Sequence, residues 1–283
     1  MKLLKNFKEQ KLPRLLQLGA HFLYILLGLL FFYGFQRPFF YYPLLMITNF
    51  IIYYVLISIA NKIYAKKEEL ISLTPVVMAG TLMLNLEAYD FKAYALAGFF
   101  GVMSRAFIKT KLGHVFNPGY FGAFVLAMLL PRFGYPSIGL WKSDLKLLIL
   151  IAVLGFFIVY RAKRLQVILS YVGGFVSISI LAAIFFRIIG FKFNGVDEVP
   201  ILFWPATLIT TTSVIFIFHV ITDPKTSPYS IKEQIIFGAL IGIIDYILRI
   251  SLIIPAEAIS YLLVQSGYSL YKIYQKQTLP VTG

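Results

Sequence analysis

Long apolar runs separated by short polar joints fill nearly the whole chain. Crossing a hydrocarbon layer about 30 Å thick takes about 17 to 25 apolar residues in a helix. The hydropathy rule therefore places about ten spans on this sequence. The first five run roughly from Leu15 to Phe35, Phe39 to Ala60, Leu70 to Leu86, Ala93 to Ile108 and Asn117 to Pro131. The next five run roughly from Leu145 to Tyr160, Leu165 to Ile189, Val199 to Ile221, Gln234 to Ile250 and Ala256 to Gly267. Several are short, and short or Pro/Gly-interrupted spans lean on neighbouring helices or line a cavity, because irregular backbone in lipid is unsatisfied. The pattern divides the chain into a basic arm (1–14), a first half (15–131), a second half (145–267) and a tail (268–283).

Composition supports the same class: 59% of residues are hydrophobic, 17% aromatic and 13% charged, with a mean hydropathy of +0.82. Such a chain is expected to be an all-α, multi-pass protein of the cell (inner or plasma) membrane, with the lipid bilayer as its first partner. The absence of cysteine excludes disulfides, thiolate zinc sites and iron–sulfur clusters held by this chain. The N-terminal "MKLLKNFKEQKLPR" has a signal peptide's basic character, but no small-residue cleavage pattern follows, so its apolar run is read as a retained first helix.

Charge sets the orientation. With the N-terminus inside, most of the 26 basic residues fall on cytoplasmic segments, among them Lys2, Lys5, Lys62, Lys66, Arg161, Lys163, Arg164 and Lys272. That bias predicts both termini in the cytoplasm. The net charge of +14 then reflects topology and attraction to anionic lipid, and no nucleic-acid partner is expected.

Two stretches break the apolar pattern on the same side. "GHVFNPGYFGAF" enters the fifth span and "HVITDPKTSP" lies between the eighth and ninth. Each puts an amide or carboxylate before a proline, Asn117-Pro118 and Asp223-Pro224, where proline disfavours helix for the residue before it and suits the first helical turn. Both read as helix starts, with Asp223 expected to cap the ninth helix and to border a pocket facing Asn117-Pro118. Helix N-termini carry unsatisfied N–H groups and partial positive charge, so such starts either hold electron-rich ligands or are capped turns at the bilayer surface.

These residues carry a resemblance. "GHVFNPGYFGAFVLAMLLP" is similar to the F-N-P-A segment of the RnfD/NqrB family, membrane subunits of the Rnf and sodium-pumping NADH:quinone oxidoreductase complexes. "VITDPKTSPYSIKEQIIFGALIGIIDYILR" resembles that family's T-D-P segment and the glycine-containing helix after it, with Thr222, Asp223, Pro224, Ser227, Pro228, Gly238 and Gly242 in matching places. "IPAEAISYLL", with Pro255 and Glu257, is similar to its last helix. The resemblance covers roughly Leu70 to Leu263 and implies two inverted five-helix halves, similar to urea transporters. An odd number of spans per half turns the second half over, which agrees with the span count.

The chain departs from the family where the family attaches flavin through phosphate to a threonine. That interval here is "RFGYPSIGLWKSDLK", without threonine, and the nearest imitation, Thr81 in "MAGTL", lies within the third span. The resemblance therefore implies a non-covalent flavin (FMN or riboflavin) or a quinone, with Asn117, Pro118, Thr222, Asp223, Pro224, Gly238 and Gly242 as the candidate binding residues. It also implies partners among other membrane redox subunits or a flavin-binding extracytoplasmic protein.

The remaining polar positions within spans suggest a second possibility. Asp245 in the ninth span needs a cavity or a partner, and Arg249 is four residues on along the same face. Glu257 caps the tenth span or shares that cavity, and Thr211, in "ATLITTTS", either lines a path or bonds its own helix. Asp245, Glu257 and Thr211 are the candidate residues of a transport path for a small solute. Heme is not expected: only His114 and His219 lie at matching depth, and no second histidine pair supports electron transfer across the membrane. No His/Glu cluster points to a metal.

Overall fold

The computed structural model describes residues 16, 19, 20, 22 and 23, 40–65, 68–70, 72–87, 90–110, 113–130, 135–136, 145–190, 203–224, 226–251 and 255–278. The basic arm and most of the first span lie outside the described residues, although 16, 19, 20, 22 and 23 are helical. Most of the interval where the family attaches flavin also lies outside them.

The described chain is helical. Its helices are α1 (Tyr41–Ile63), α2 (Thr74–Asn85), α3 (Phe91–Phe107), α4 (Pro118–Leu129), α5 (Leu145–Ala162) and α6 (Leu165–Ile188). They continue as α7 (Phe203–Ala206), α8 (Thr211–Ile215), α9 (Ile231–Ile250) and α10 (Ala256–Thr278). Strand pairing among the described residues is confined to two antiparallel ladders, Leu86–Glu87 with Tyr135–Pro136 and Lys109–Thr110 with Gly113–His114.

Local chemistry accounts for the helix starts. Proline stands in the first turn of α2 and of α4, where its missing N–H costs nothing and its φ is already helical. The Asp90 side chain accepts from Lys92 N at 3.1 Å to cap α3, and Ser230 accepts from Glu233 N at 3.3 Å to cap α9.

Two expectations are corrected. The eighth span is not one helix: α7 passes into a 3₁₀ turn (Thr207–Ile209), then α8, then a π turn (Phe216–Val220). Thr210 leaves helical geometry between them, at ψ 154°, in the Ser/Thr-rich stretch where hydroxyls offer the backbone alternative partners. The last helix does not stop at Gly267 but reaches Thr278, so the tail drawn from 268 begins as helix. Polar residues end the hydropathy signal there, while Tyr268 and Lys272 hold the extension by bonding Glu233 of α9.

The outer surface is apolar. On α1 the buried residues Tyr42, Leu45, Asn49, Tyr53, Leu56, Ile57 and Ala60 form one stripe, while Ile47, Ile51, Tyr54, Val55 and Ile59 are exposed. On α6, Leu169, Leu181, Ile184, Phe185 and Ile188 are exposed. Water would not tolerate apolar surface on this scale, whereas lipid does. Two helices, α1 and α6, are long and apolar enough to cross a membrane, and α2, α4 and α5 contribute shorter apolar stretches.

Small residues bring the helices together. A Cβ on Gly122 of α4 would stand 2.0 Å from Ala97 O of α3, and one on Gly101 of α3 would stand 2.4 Å from Pro118 O. The same device joins α6 to α9, where a Cβ on Gly242 would stand 2.2 Å from Tyr171 O and one on Gly174 would stand 2.7 Å from Ala239 O. Without lipid-excluding hydrophobicity to drive association, such close backbone approach supplies the van der Waals contact. One buried cluster is centred on α1 to α4 and a second on α6, α9 and α10, with Tyr120 of α4 packed into the second.

Gly242→Ala should therefore force α6 and α9 apart and destabilise the protein by about 1–3 kcal/mol. Gly173→Ala, whose Cβ meets no atom within 4 Å, should stabilise α6 by about 0.5–1 kcal/mol. Thermal unfolding in detergent compares the two, and equal effects would rule out this packing.

Candidate functional site

The two prolyl turns meet. Asn117 caps α4 by accepting from Tyr120 N through Oδ1 at 3.2 Å, which leaves its Nδ2 to donate to Asp223 Oδ2 at 3.3 Å. The backbone N–H of Asn117 donates to Tyr261 Oη at 3.2 Å. Both side chains are buried, Asn117 at 5% and Asp223 at 8% exposure.

Asp223 is not the cap of α9; that helix starts at Ile231 behind Ser230. Pro224 and Pro228 hold the intervening chain in a loop, because each disfavours helix for the residue before it. The Ser230-x-x-Glu233 spacing is the start signal that sequence reasoning passed over. Asp223 instead organises the loop: its carbonyl accepts from Thr226 N at 3.1 Å, Ser227 N at 2.9 Å and Ser227 Oγ at 2.7 Å.

Neighbouring elements complete the loop's hydrogen bonds. Gln265 Nε2 of α10 donates to Val115 O at 2.7 Å and Thr226 O at 3.0 Å, tying both turns to one side chain. Arg164, between α5 and α6, donates from Nε to Ser227 Oγ at 2.8 Å and lies over the Tyr229 ring at 4.3 Å. Burial pushes its guanidinium below the usual range, opposed by Tyr229 and Asp223. Thr222 Oγ1 donates back to Phe218 O at 2.6 Å, and Pro224 O accepts from Tyr229 Oη at 3.2 Å.

A second polar network lies at the other end of α9. Arg249 donates from Nε to Asp245 Oδ1 at 3.0 Å and from Nη2 to Asp245 Oδ2 at 3.2 Å, which is the expected i,i+4 pair. Its Nη2 also bonds Glu257 Oε1, and its Nη1 reaches Thr207 Oγ1 at 3.2 Å. Tyr171 Oη of α6 donates to Asp245 Oδ2 at 2.7 Å. Glu257 Oε1 further contacts Ser213 Oγ, which brings the broken eighth span into the network. The Asp245 side chain is fully buried, and those of Arg249 and Glu257 are exposed by only 17% and 12%.

α10 joins the two networks. Glu257 belongs to the second, while Tyr261 and Gln265 belong to the first, each four residues further along one helical face, or about 6 Å per step. Lys272 and Tyr268 meet Glu233 further on still. The Asn117–Asp223 contact thus sits level with the interior of α10, away from either end. Between the networks lies an aromatic seam: ring centroids are 5.8 Å apart for Tyr171 and Phe216, 5.5 Å for Phe216 and Tyr120, and 6.0 Å for Tyr120 and Tyr261.

Other candidates fall elsewhere. A Cβ on Gly238 would meet Val167 O at 2.3 Å, so Gly238, like Gly242, is turned to α6 and stands apart from the Asn117–Asp223 pair. Thr211 opens α8, and its side chain lies outside the described residues. Tyr171, Tyr261, Arg164 and Gln265 escaped sequence reasoning. A glutamine within an apolar helix was the one available signal; nothing local marks a tyrosine among so many aromatics.

Apolar outer faces, close glycine contacts and broken spans tied by buried polar groups define an α-helical membrane protein. Residues 133–264 match the model of the NQR2, RnfD, RnfE family, so that stretch of the chain is RnfD/NqrB-like. That stretch contains Asp223, Asp245 and Glu257 but not Asn117. No curated protein matches the chain.

Two outcomes follow. A double-mutant cycle of Asn117→Ala and Asp223→Ala should give a coupling of about 0.5–3 kcal/mol in unfolding free energy, and a zero coupling would exclude the contact. Arg249→Leu, which strands two buried carboxylates, should cost about 3–5 kcal/mol by the same measurement.

Proposed function

We propose that this chain is an electron-transport subunit of an Rnf/Nqr-type membrane assembly and binds FMN, riboflavin or a quinone non-covalently beside the Asn117–Asp223 turn pair. The observation that carries the reading is the meeting of these two turns inside the helical bundle. Irregular backbone at such depth is tolerated where it is buried in protein or lines a cavity. The turns place an amide, a carboxylate and the start of α4 together, a set able to hydrogen-bond an isoalloxazine edge or a quinone carbonyl. Tyr120 and Tyr261 supply adjacent aromatic surface. Flavin or quinone supplies the electron-accepting ring; the residues bind and orient it.

The inverted five-plus-five arrangement belongs to the same proposal. Pairing of α1 with α3 and of α3 with α4 has counterparts in α6 with α9 and α9 with α10. Those pairs would be equivalent if the second half repeated the first. The assembly would lie in the plasma membrane with both termini cytoplasmic and with other redox subunits as neighbours.

A second reading is a transporter for a small solute. It draws on the charged network at the far end of α9 and on the aromatic seam between that network and the turn pair. Broken spans with polar groups on both sides of an aromatic layer suit alternating access.

One experiment separates them. The protein is purified in mild detergent, its absorbance and fluorescence are recorded, and acid precipitation is used to release any flavin; quinone is sought by organic extraction. The redox reading expects flavin or quinone near one per chain, with at least a tenfold loss of retained ligand in Asp223→Ala. Protein free of both after gentle handling favours transport.

A further inference from the structure

We propose that a water-filled vestibule descends from the membrane face at which α6 ends and reaches the side chains of Arg249 and Glu257, roughly 10 Å below that face. The inference does not depend on flavin or quinone at the turn pair, because it concerns the opposite end of α9 and takes only water and small hydrophilic solutes as occupants.

Depth is the first argument. α6 and α9 run side by side in the same direction: a Cβ on Gly238 would meet Val167 O, one on Gly242 would meet Tyr171 O, and the rings of Phe175 and Tyr246 stand 5.4 Å apart. Arg249 lies over the Phe175 ring at 5.6 Å, so the charged network is level with Phe175. Beyond Phe175, α6 continues for about 20 Å to Ile188, and Leu181, Ile184, Phe185 and Ile188 stay exposed along it. That apolar face needs lipid beside it. α9 ends at Ile250, only about 6 Å past Tyr246, and α10 starts at Ala256. The joint between α9 and α10, with the network beneath it, is therefore sunk below the level that lipid reaches on α6.

Exposure is the second, independent argument. At this depth the Arg249 and Glu257 side chains remain 17% and 12% exposed. Charged groups open to hydrocarbon are costly, and inside a membrane they face the bundle interior or a water-filled cavity. The broken eighth span agrees. Thr207 accepts from Arg249 Nη1, and Thr210, extended at ψ 154°, bonds the Ser213 hydroxyl that contacts Glu257; both threonines are half-buried. Irregular backbone at membrane depth is tolerated where it is buried in protein or lines a water-filled cavity. Tyr261 is one turn along α10 from Glu257, so the vestibule brings water to the edge of the aromatic seam.

The chain contains no cysteine, so introduced single cysteines report water access through their reaction with charged, membrane-impermeant methanethiosulfonates. The thiolate is the reacting form, and apolar surroundings suppress it. Single-cysteine variants of the full chain are labelled in sealed membrane vesicles of both orientations, with a cationic and an anionic reagent. Thr207→Cys and Thr210→Cys should be labelled by at least one reagent in the vesicles that expose Ile189→Cys, just past the end of α6, and not in those that expose Tyr274→Cys, near the end of α10. Ile247→Cys, on the opposite face of α9 from Asp245 and Arg249 and 45% exposed, should react at least about tenfold more slowly. Should Thr207→Cys fail to fold, Thr210→Cys decides. The proposal is overturned if the threonine variants stay unlabelled, if they are labelled from the face of Tyr274, or if Ile247→Cys reacts as fast as they do. Each result stands whether or not the protein releases flavin or quinone, so failure here is separable from failure of the redox reading.

Discussion

Backbone that leaves a helix inside an apolar bundle must find every hydrogen-bond partner within the protein. The rest of this structure is arranged around that constraint. The turns at Asn117 and Asp223 both leave helical geometry at depth, and neither satisfies itself. Asn117 uses one end of its amide for its own helix and the other for Asp223, and Gln265 donates to a carbonyl of each turn. Arg164 and Tyr261 add further bonds. α4, α10 and the α5–α6 junction are thereby fixed relative to the loop before α9.

The second network meets the same constraint for charge. Asp245 could not be buried alone in α9, and Arg249 one turn on supplies the local partner. An arginine has more donors than one carboxylate uses, so Glu257 of α10 and Thr207 of the broken span are drawn in. Because α10 contributes to both networks through Glu257 and Tyr261, displacement of that helix would disturb both together. The aromatic seam of Tyr171, Phe216, Tyr120 and Tyr261 runs between them.

Much of this was legible one element at a time. Proline after Asn117 marked the start of α4, and the four-residue step from Asp245 to Arg249 marked an ion pair, because both depend only on nearest turns of one helix. The bounds of α6 and the end of α9 followed from the lengths of their apolar runs. Reading failed where a local rule had a competitor. Asp223 fits a cap by type and position, but Ser230 takes that role and leaves the carboxylate for Asn117. The eighth span is apolar enough to be a helix, yet its hydroxyls and distant partners break it.

The sequence alone determined the class of protein, the approximate extents of several helices, the helix start at Asn117-Pro118 and the pairing of charges within a turn. Tertiary structure decided which atoms join the Asn117 and Asp223 turns, that Gly238 and Gly242 face α6, and that Tyr171, Tyr261 and Gln265 join the polar networks. The reason lies in the solvent. In water the buried face of a helix is apolar and the outer face polar, so periodicity reveals orientation. Here both faces of α1 and α6 are apolar, one against protein and one against lipid. Hydrophobicity then carries no contrast from which the inward side could be read.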